Sequence, residues 1–356
     1  MTHKFNYNWT LANANFTKDK GKVFSCFACG GGSTMGYKLA GFDVIGCNEI
    51  DPKMFEAYKT NHNPKYAYLE PIQTFKLRDD LPQELYNLDI LDGSPPCSSF
   101  SISGNRENDW GKEKKFREGQ TEQILDTLFF DFIDLAKKLK PKIVVAENVK
   151  GLLLGDAKSY VLKIHEEFEK AGYYVNHWLL NSSVMGVPQK RERVFFLAIR
   201  KDIATPYIEN VDMFHVGPKI NLNFNEKEII FNEIIDQNDN TENLSELVSE
   251  LWEKKINGDQ DISDISLRER NKLSMFNSKF LYGHKVANTI TGRDGCVLFD
   301  KKRTRNKTEL CNCGTYPHDY NFCGNEPAYL IGMSVPPVMT AQIATKIYDE
   351  WLSNIE

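Results

Sequence analysis

Cys97 has the neighbours of a chemically active thiol. It closes Gly93-Ser94-Pro95-Pro96-Cys97 and is followed by Ser98-Ser99-Phe100-Ser101. The two prolines fix φ and stop the chain from continuing as helix or sheet. An apolar run, Leu88 to Leu91, reads as a buried strand closed by Asp92-Gly93 and leads into them. A thiol held on a rigid turn past the carboxyl end of a strand sits where open α/β sheets bind their ligands. There it can serve as a nucleophile rather than as packing. Most cysteines are small buried hydrophobes, so the other polar groups of the chain decide between the two.

Those groups recur at strand ends. Lys22 to Phe27 reads as a first strand running into Ala28-Cys29-Gly30-Gly31-Gly32-Ser33, and Thr34 to Ala40 as a helix closed by Gly41. Strand, glycine turn and helix N-terminus open a nucleotide-binding unit, with Ser33 expected to cap the helix. A second strand, Phe42 to Gly46, is followed by Glu49, an acid roughly 20 residues after the glycines and so placed to hold ribose hydroxyls. Glu147-Asn148-Val149 ends the strand from Lys142, and Gln189-Lys190-Arg191-Glu192-Arg193 precedes the strand Val194 to Ile199.

The elements between them alternate strand and helix. An amphipathic helix runs from Thr121 to Leu139 and stops at Pro141, and another spans Ser159 to Lys170. This predicts an α/β protein with a mostly parallel, doubly wound sheet covered on both faces. Residues 101–120 lack hydrophobic periodicity and read as a loop able to act as a lid. The expected organisation is a catalytic and cofactor-binding domain over 1–200, a smaller domain over 201–324, and a C-terminal helix over 325–356 packing back on the first.

With 356 residues, 41% hydrophobic and 26% charged, the chain is an ordinary globular protein. Its net charge of −5 means that any nucleic-acid binding must come from local basic patches. One such run holds Lys301, Lys302, Arg303, Arg305 and Lys307, and it reads either as a phosphate contact or as a solvated face. There is no N-terminal basic-then-apolar signal and no apolar run near ~18 residues. A cytoplasmic protein with its eight cysteines reduced is therefore expected. Cys311, Cys313, His318 and Cys323 offer four zinc-type ligands at an unfamiliar spacing, against an overall expectation of no metal.

In order and spacing, these motifs resemble the S-adenosylmethionine-dependent cytosine-5 DNA methyltransferases. The match includes Phe27 to Gly32, Asn48 to Asp51, Pro95-Pro96-Cys97, Glu147 to Val149, Gln189 to Arg193, Ala287-Asn288-Thr289-Ile290-Thr291 and the final Gly332-Met333-Ser334-Val335. The resemblance implies a Rossmann-like methyltransferase fold with a smaller target-recognition domain. It also implies transfer of a methyl group to C5 of a cytosine flipped out of duplex DNA. Cys97 would add to C6, Glu147 would hydrogen-bond N3 and the 4-amino group, and Arg191 and Arg193 would hold the base or phosphate. The cofactor would lie against Phe27, Ala28, Cys29, Gly30, Gly31, Gly32, Glu49, Ile50, Ile72, Pro95, Ser334 and Val335. DNA contacts would fall to Ser99, Ser101, Arg106, Gln189, Thr289, Arg303 and Arg305.

The resemblance further implies a monomer of prokaryotic or phage origin serving restriction-modification or DNA protection, in some cases beside a partner restriction endonuclease. Ser25 stands where the family has an acid, Cys29 where it has glycine, Ile50 where an aromatic is common, and Met333 where Asn is common. Glu70-Pro71-Ile72 replaces Gly-Asp-Ile. The alternatives are a tRNA cytosine-5 methyltransferase of the same fold, and a catalytically silent DNA-binding regulator, against which the intact Cys97, Glu147 and Arg193 argue. Thymidylate-synthase-type chemistry is a third, which the glycine turn with Glu49 disfavours.

Overall fold

The computed structural model describes residues 3–96, 127–155, 157–210, 216–274 and 278–355, and the backbone of 113–114 and 123–124. The chain forms two compact units. One comprises Asn15–Asn181, Glu192–Phe224 and Met339–Glu356, and the other Met1–Ala14, Ser182–Arg191 and Asn225–Val338. No helix among the described residues is long and apolar enough to cross a membrane.

The first unit is built on a seven-stranded sheet. Its strands are β1 (Lys22–Cys26), β2 (Asp43–Glu49), β3 (Tyr66–Leu69), β4 (Ile90–Gly93), β7 (Ile143–Val149), β8 (Tyr173–Asn181) and β10 (Glu192–Arg200), in the order β3-β2-β1-β4-β7-β10-β8. Two short strands, β5 (Glu113–Lys114) and β6 (Gln123–Ile124), pair antiparallel with each other, and β9 (Gln189–Lys190) precedes β10. β1 pairs in parallel with β2 and β4, and so do β2 with β3 and β4 with β7. The chain moves outward from β1 through β2 to β3 and then returns to β4 on the other side of β1. The sheet order therefore reverses between β1 and β4, the position at which such sheets open a ligand crevice beyond their carboxyl ends.

β10 departs from the parallel pattern and runs antiparallel to both β7 and β8. Only residues 182–191 separate it from β8, and they hold no crossover helix, which a parallel pairing would require.

The helices cover this sheet by their apolar stripes. In α4 (Leu128–Leu139), Leu128, Phe129, Phe132, Ile133, Leu135, Ala136 and Leu139 are buried. Lys140, at φ 53, ends the helix before Pro141. The helix opens at Leu128 and not at Thr121, because Gln123–Ile124 are taken into β6. Phe129 meets Tyr160 and Phe168 of α5 (Ala157–Lys170) and Phe196 of β10 edge-on, so both helices share one core with the sheet. The last long helix, α10 (Pro337–Glu350), sets Tyr348 edge-on to Phe42 at 6.2 Å.

The second unit has little regular sheet. Its helices α6 (Glu246–Glu253) and α7 (Ile262–Arg270) and strands β13 (Phe280–Leu281) and β15 (Val297–Leu298) enclose a small core of Leu251, Ile262, Ile265, Phe280, Val297 and Phe299. β14 (Ala287–Asn288) pairs in parallel with β9, which joins the Thr289 segment to the Gln189 segment.

Candidate active site

The glycine turn after β1 is held in unusual backbone geometry. Phe27 and Cys29 have φ of 52° and 48°, and Gly31 has 83°. A side-chain-bearing residue in this left-handed region costs roughly 1–2 kcal/mol. Cys29 thus keeps the backbone that a glycine would adopt freely. Gly31 is required on a second count, since a Cβ there would lie 2.1 Å from His62 Nε2. Gly31 is also the N-cap of α1 (Gly32–Leu39), and no side chain caps it, so the capping expected of Ser33 is replaced by another contact.

Glu49 organises the turn. It is buried at the end of β2, where its Oε2 accepts the Cys29 N–H at 2.7 Å and its Oε1 the N–H groups of Ile50 and Asp51 at 2.8 and 2.9 Å. Burial raises its pKa, and the three N–H groups oppose that rise. Ile50 is half-buried, and Ile72 is buried in the core at the start of the short helix α3 (Ile72–Phe75).

Ser33 Oγ donates instead to Asp92 Oδ2 at 2.7 Å, and Ser25 Oγ donates to the same oxygen at 2.9 Å. Pro95, two residues past β4, is buried, and its carbonyl accepts Asn148 Nδ2 at 3.1 Å. Asn148 is itself buried and bonds the Val149 N–H through Oδ1 at 2.9 Å. The end of β7 therefore anchors the proline turn that leads to Cys97. This positioning role of Asn148 went unassigned in the sequence, although the residue lies inside the Glu147-Asn148-Val149 motif.

Glu147 and Arg193 meet because β7 and β10 are antiparallel. Glu147 faces Phe195 across the ladder, so Arg193 is its diagonal neighbour. Arg193 Nε lies 2.9 Å from Glu147 Oε1, with the two side chains only 17% and 13% exposed. Arg193 Nη1 donates to the Glu192 carbonyl at 2.8 Å. Burial pulls the guanidinium below its ordinary pKa, and the Glu147 carboxylate opposes that fall. Such a pair presents a carboxyl group whose orientation is set by a fixed cation.

Cys97, Ser99, Ser101 and Arg106 lie outside the described residues, as does the 101–120 loop apart from the backbone of Glu113–Lys114. The remaining expected residues lie in the second unit, and most of them are structural. Arg191, expected beside Arg193 in catalysis, is buried and donates to the carbonyls of Ile290 at 3.2 Å and Gly332 at 2.9 Å. It braces three segments of its own unit. Gln189, expected at DNA, is buried too: its Nε2 donates to the Cys313 carbonyl at 3.0 Å and its Oε1 accepts the Ile290 N–H at 2.8 Å. Thr289 is half-buried, with its hydroxyl on the Lys190 carbonyl. Ser334 and Val335 are buried, and Ser334 Oγ bonds Tyr316 and the Leu330 carbonyl.

Arg303 and Arg305 are likewise corrected. Arg303 is 1% exposed and binds both oxygens of the fully buried Glu309, at 2.7 and 2.8 Å. Glu309 in turn closes a capping box with Asn306 at the start of α8 (Lys307–Gly314). Arg305 is buried against Asp294, with Nε at 2.8 Å from Oδ2. Neither guanidinium is available to a phosphate. Arg303→Met is expected to destabilise the protein by about 3–5 kcal/mol, because it strands the Glu309 carboxylate in the interior. Chemical denaturation would measure this, and the slope of DNA affinity against salt should stay at the wild-type value. A shallower slope would return Arg303 to the phosphate-contacting set.

The zinc-type cluster does not assemble. Among the described residues no group of three or more His, Cys, Asp or Glu is placed to hold a metal. Cys311 and Cys313 are two apart on α8, a spacing that turns them to different helix faces. His318 Nε2 is hydrogen-bonded to Asn312 Oδ1 at 2.8 Å.

The family model for C-5 cytosine-specific DNA methylases matches residues 21–349. The chain belongs to that family. Its members use S-adenosylmethionine as methyl donor. Within it, the Type II methyltransferase M1.HphI of Haemophilus parahaemolyticus is 28% identical over 90% of this chain and 85% of its own length. The Type II methyltransferase M.FnuDI of Fusobacterium nucleatum is 37% identical over 51% of this chain, and the match spans about half, 48%, of that relative. In fold, the chain is similar to a structure described as a prophage-encoded DNA modification methyltransferase of E. coli. The TM-score is 0.63 at 18% identity, over 92% of this chain and 98% of that one. It is also similar to Spodoptera frugiperda DNMT2, with a TM-score of 0.60 at 17% identity over 92% and 99%.

The sheet unit suits the family's methyl donor. Its strand order reverses beside a glycine turn whose central residue has no room for a Cβ, and buried carboxylates stand at the ends of β2 and β4. These are the features that a close-lying, hydroxyl-bearing, cationic nucleoside needs.

Proposed function

We propose that the protein is a DNA cytosine-5 methyltransferase acting on a specific duplex sequence. The observation that carries this reading is the Glu147–Arg193 pair at 2.9 Å, next to the Asn148–Pro95 tie that holds the chain two residues before Cys97. Bound S-adenosylmethionine would supply an electrophilic methyl group, held by the turn from Phe27 to Gly32 and by Glu49. Cytosine C5 is a weak nucleophile in the aromatic ring. Addition of the Cys97 thiolate to C6 gives an enamine whose C5 can take up the methyl group, and Glu147 holds N3 and the 4-amino group as charge develops there. Arg193 keeps the Glu147 carboxyl oriented through this change. Loss of the C5 proton then expels the thiol and restores the ring.

Residues 201–324 are the proposed target-recognition segment. The bacterial Type II methyltransferase relatives support a restriction-modification role; a partner endonuclease, a cytoplasmic location and a monomeric state are part of the same proposal. Covalent trapping tests the chemistry. The protein and S-adenosylmethionine are incubated with duplexes of varied sequence carrying 5-fluorocytosine, and in parallel with fluorinated RNA. Fluorine at C5 does not leave as a proton does, so a denaturation-resistant adduct at Cys97 on DNA alone is expected. An adduct on RNA alone would replace this reading with the tRNA enzyme, and no adduct on either would replace it with the silent regulator.

A further inference from the structure

Asp92 lies in β4 at the register partner of Ser25 in β1, so the two residues flank the point where the sheet order reverses. Its side chain is buried, with 4% of the residue exposed. Oδ2 accepts from Ser25 Oγ at 2.9 Å and Ser33 Oγ at 2.7 Å, and Oδ1 accepts from Tyr37 Oη at 3.1 Å. Ser33 and Tyr37 are four apart on α1, so one face of that helix is fastened to β4 through a single carboxylate.

All three donors are neutral. Among the described residues no Lys, Arg or His side chain pairs with Asp92, and Glu147, a carboxylate that acts on it through charge, has the same sign. Burial, with Glu147 adding, pushes its pKa up to about 6 against the pull of the three hydroxyls. A buried carboxylate without a counter-charge is costly to keep. If Asp92 served only to link β1, β4 and α1, an amide would do so with no charge to desolvate.

We propose that Asp92 is the counter-charge for the cationic methionine end of S-adenosylmethionine, its sulfonium above all, and that it supplies from β4 the acid that β1 lacks at Ser25. This rests on the methyltransferase reading above. The ligand carries a sulfonium and an ammonium against one carboxylate, whereas S-adenosylhomocysteine lacks the sulfonium. A carboxylate beneath the crevice therefore favours the donor over the spent product, and the preference comes from charge and not from shape.

The test is binding without DNA, so that no turnover occurs. Calorimetric titration of the full chain gives dissociation constants for both ligands in the wild type and in Asp92→Asn, which keeps the side-chain shape. Asp92→Asn is expected to weaken S-adenosylmethionine by about tenfold, ~1.4 kcal/mol, and S-adenosylhomocysteine by much less. Equal weakening of both ligands, or of neither, would overturn the proposal and leave Asp92 a structural link. If Asp92→Asn does not fold, the exchange Ser25→Asp with Asp92→Ser carries the test. It moves the acid across the ladder at constant composition and should restore the preference for the sulfonium ligand; a folded exchange variant that binds both ligands equally would overturn the proposal. Failure of the wild type to bind either ligand would instead overturn the methyltransferase reading itself.

Discussion

Cys97→Ala is expected to lower methyl transfer by at least about 10⁴-fold, the scale on which removal of a covalent nucleophile acts, while duplex affinity stays at the wild-type level. The loss is large because the thiolate is what activates the ring. Without a thiolate at C6, C5 remains part of an aromatic ring and the methyl group meets no competent carbon nucleophile. Binding persists because the substitution removes neither a cation nor a phosphate donor, and the proline turn before it is still held through the Pro95 carbonyl and Asn148. Single-turnover transfer from labelled cofactor, run beside a salt-dependent duplex titration, reads both quantities. Retained transfer would remove Cys97 from the mechanism. Lost duplex binding with an intact fold would assign it to recognition.

Glu147→Gln is the second large effect. Proton handling by a positioned carboxyl contributes about 10²–10⁴-fold in rate, and the variant should lose methyl transfer on that scale. The substitution also leaves Arg193 buried without its carboxylate partner, 17% exposed and bonded to the Glu192 carbonyl. Removing one member of a buried pair costs about 3–5 kcal/mol, and thermal unfolding should show a marked fall. The double variant Glu147→Gln with Arg193→Met separates the two consequences. It should regain stability, because no buried charge is left unpaired, and it should regain no activity. Recovery of transfer in the double variant would show that the carboxylate acts only as a structural partner of Arg193.

Much of the architecture is legible in the chain. The alternation of apolar runs with amphipathic stretches gives the parallel sheet, since each buried strand needs a crossover helix to return it. The antiparallel β10 is also legible in principle, because residues 182–191 are too few for such a crossover. The basic run is a different case. Arg303 and Arg305 look the same in sequence whether they face phosphate or the interior. Their fate depends on Glu309 and Asp294, one six residues after Arg303 and the other eleven before Arg305. Arg191 and Gln189 sit inside a recognisable motif, yet they bond backbone groups of residues far along the chain, such as the carbonyls of Gly332 and Cys313.

The sequence by itself determined the reaction class, because the chemistry needs particular residue types in a fixed order: a glycine turn, an acid after the second strand, a proline-bound cysteine and a Glu-Asn-Val strand end. Tertiary structure alone decided which charged groups are free to act. A charge is worth little until its surroundings are known. Burial beside a partner turns Arg303 into a brace, and burial beside neutral hydroxyls leaves Asp92 without a counter-ion among the described residues, at the point where the sheet reverses. That difference is one of solvation and distance, which no local pattern in the chain encodes.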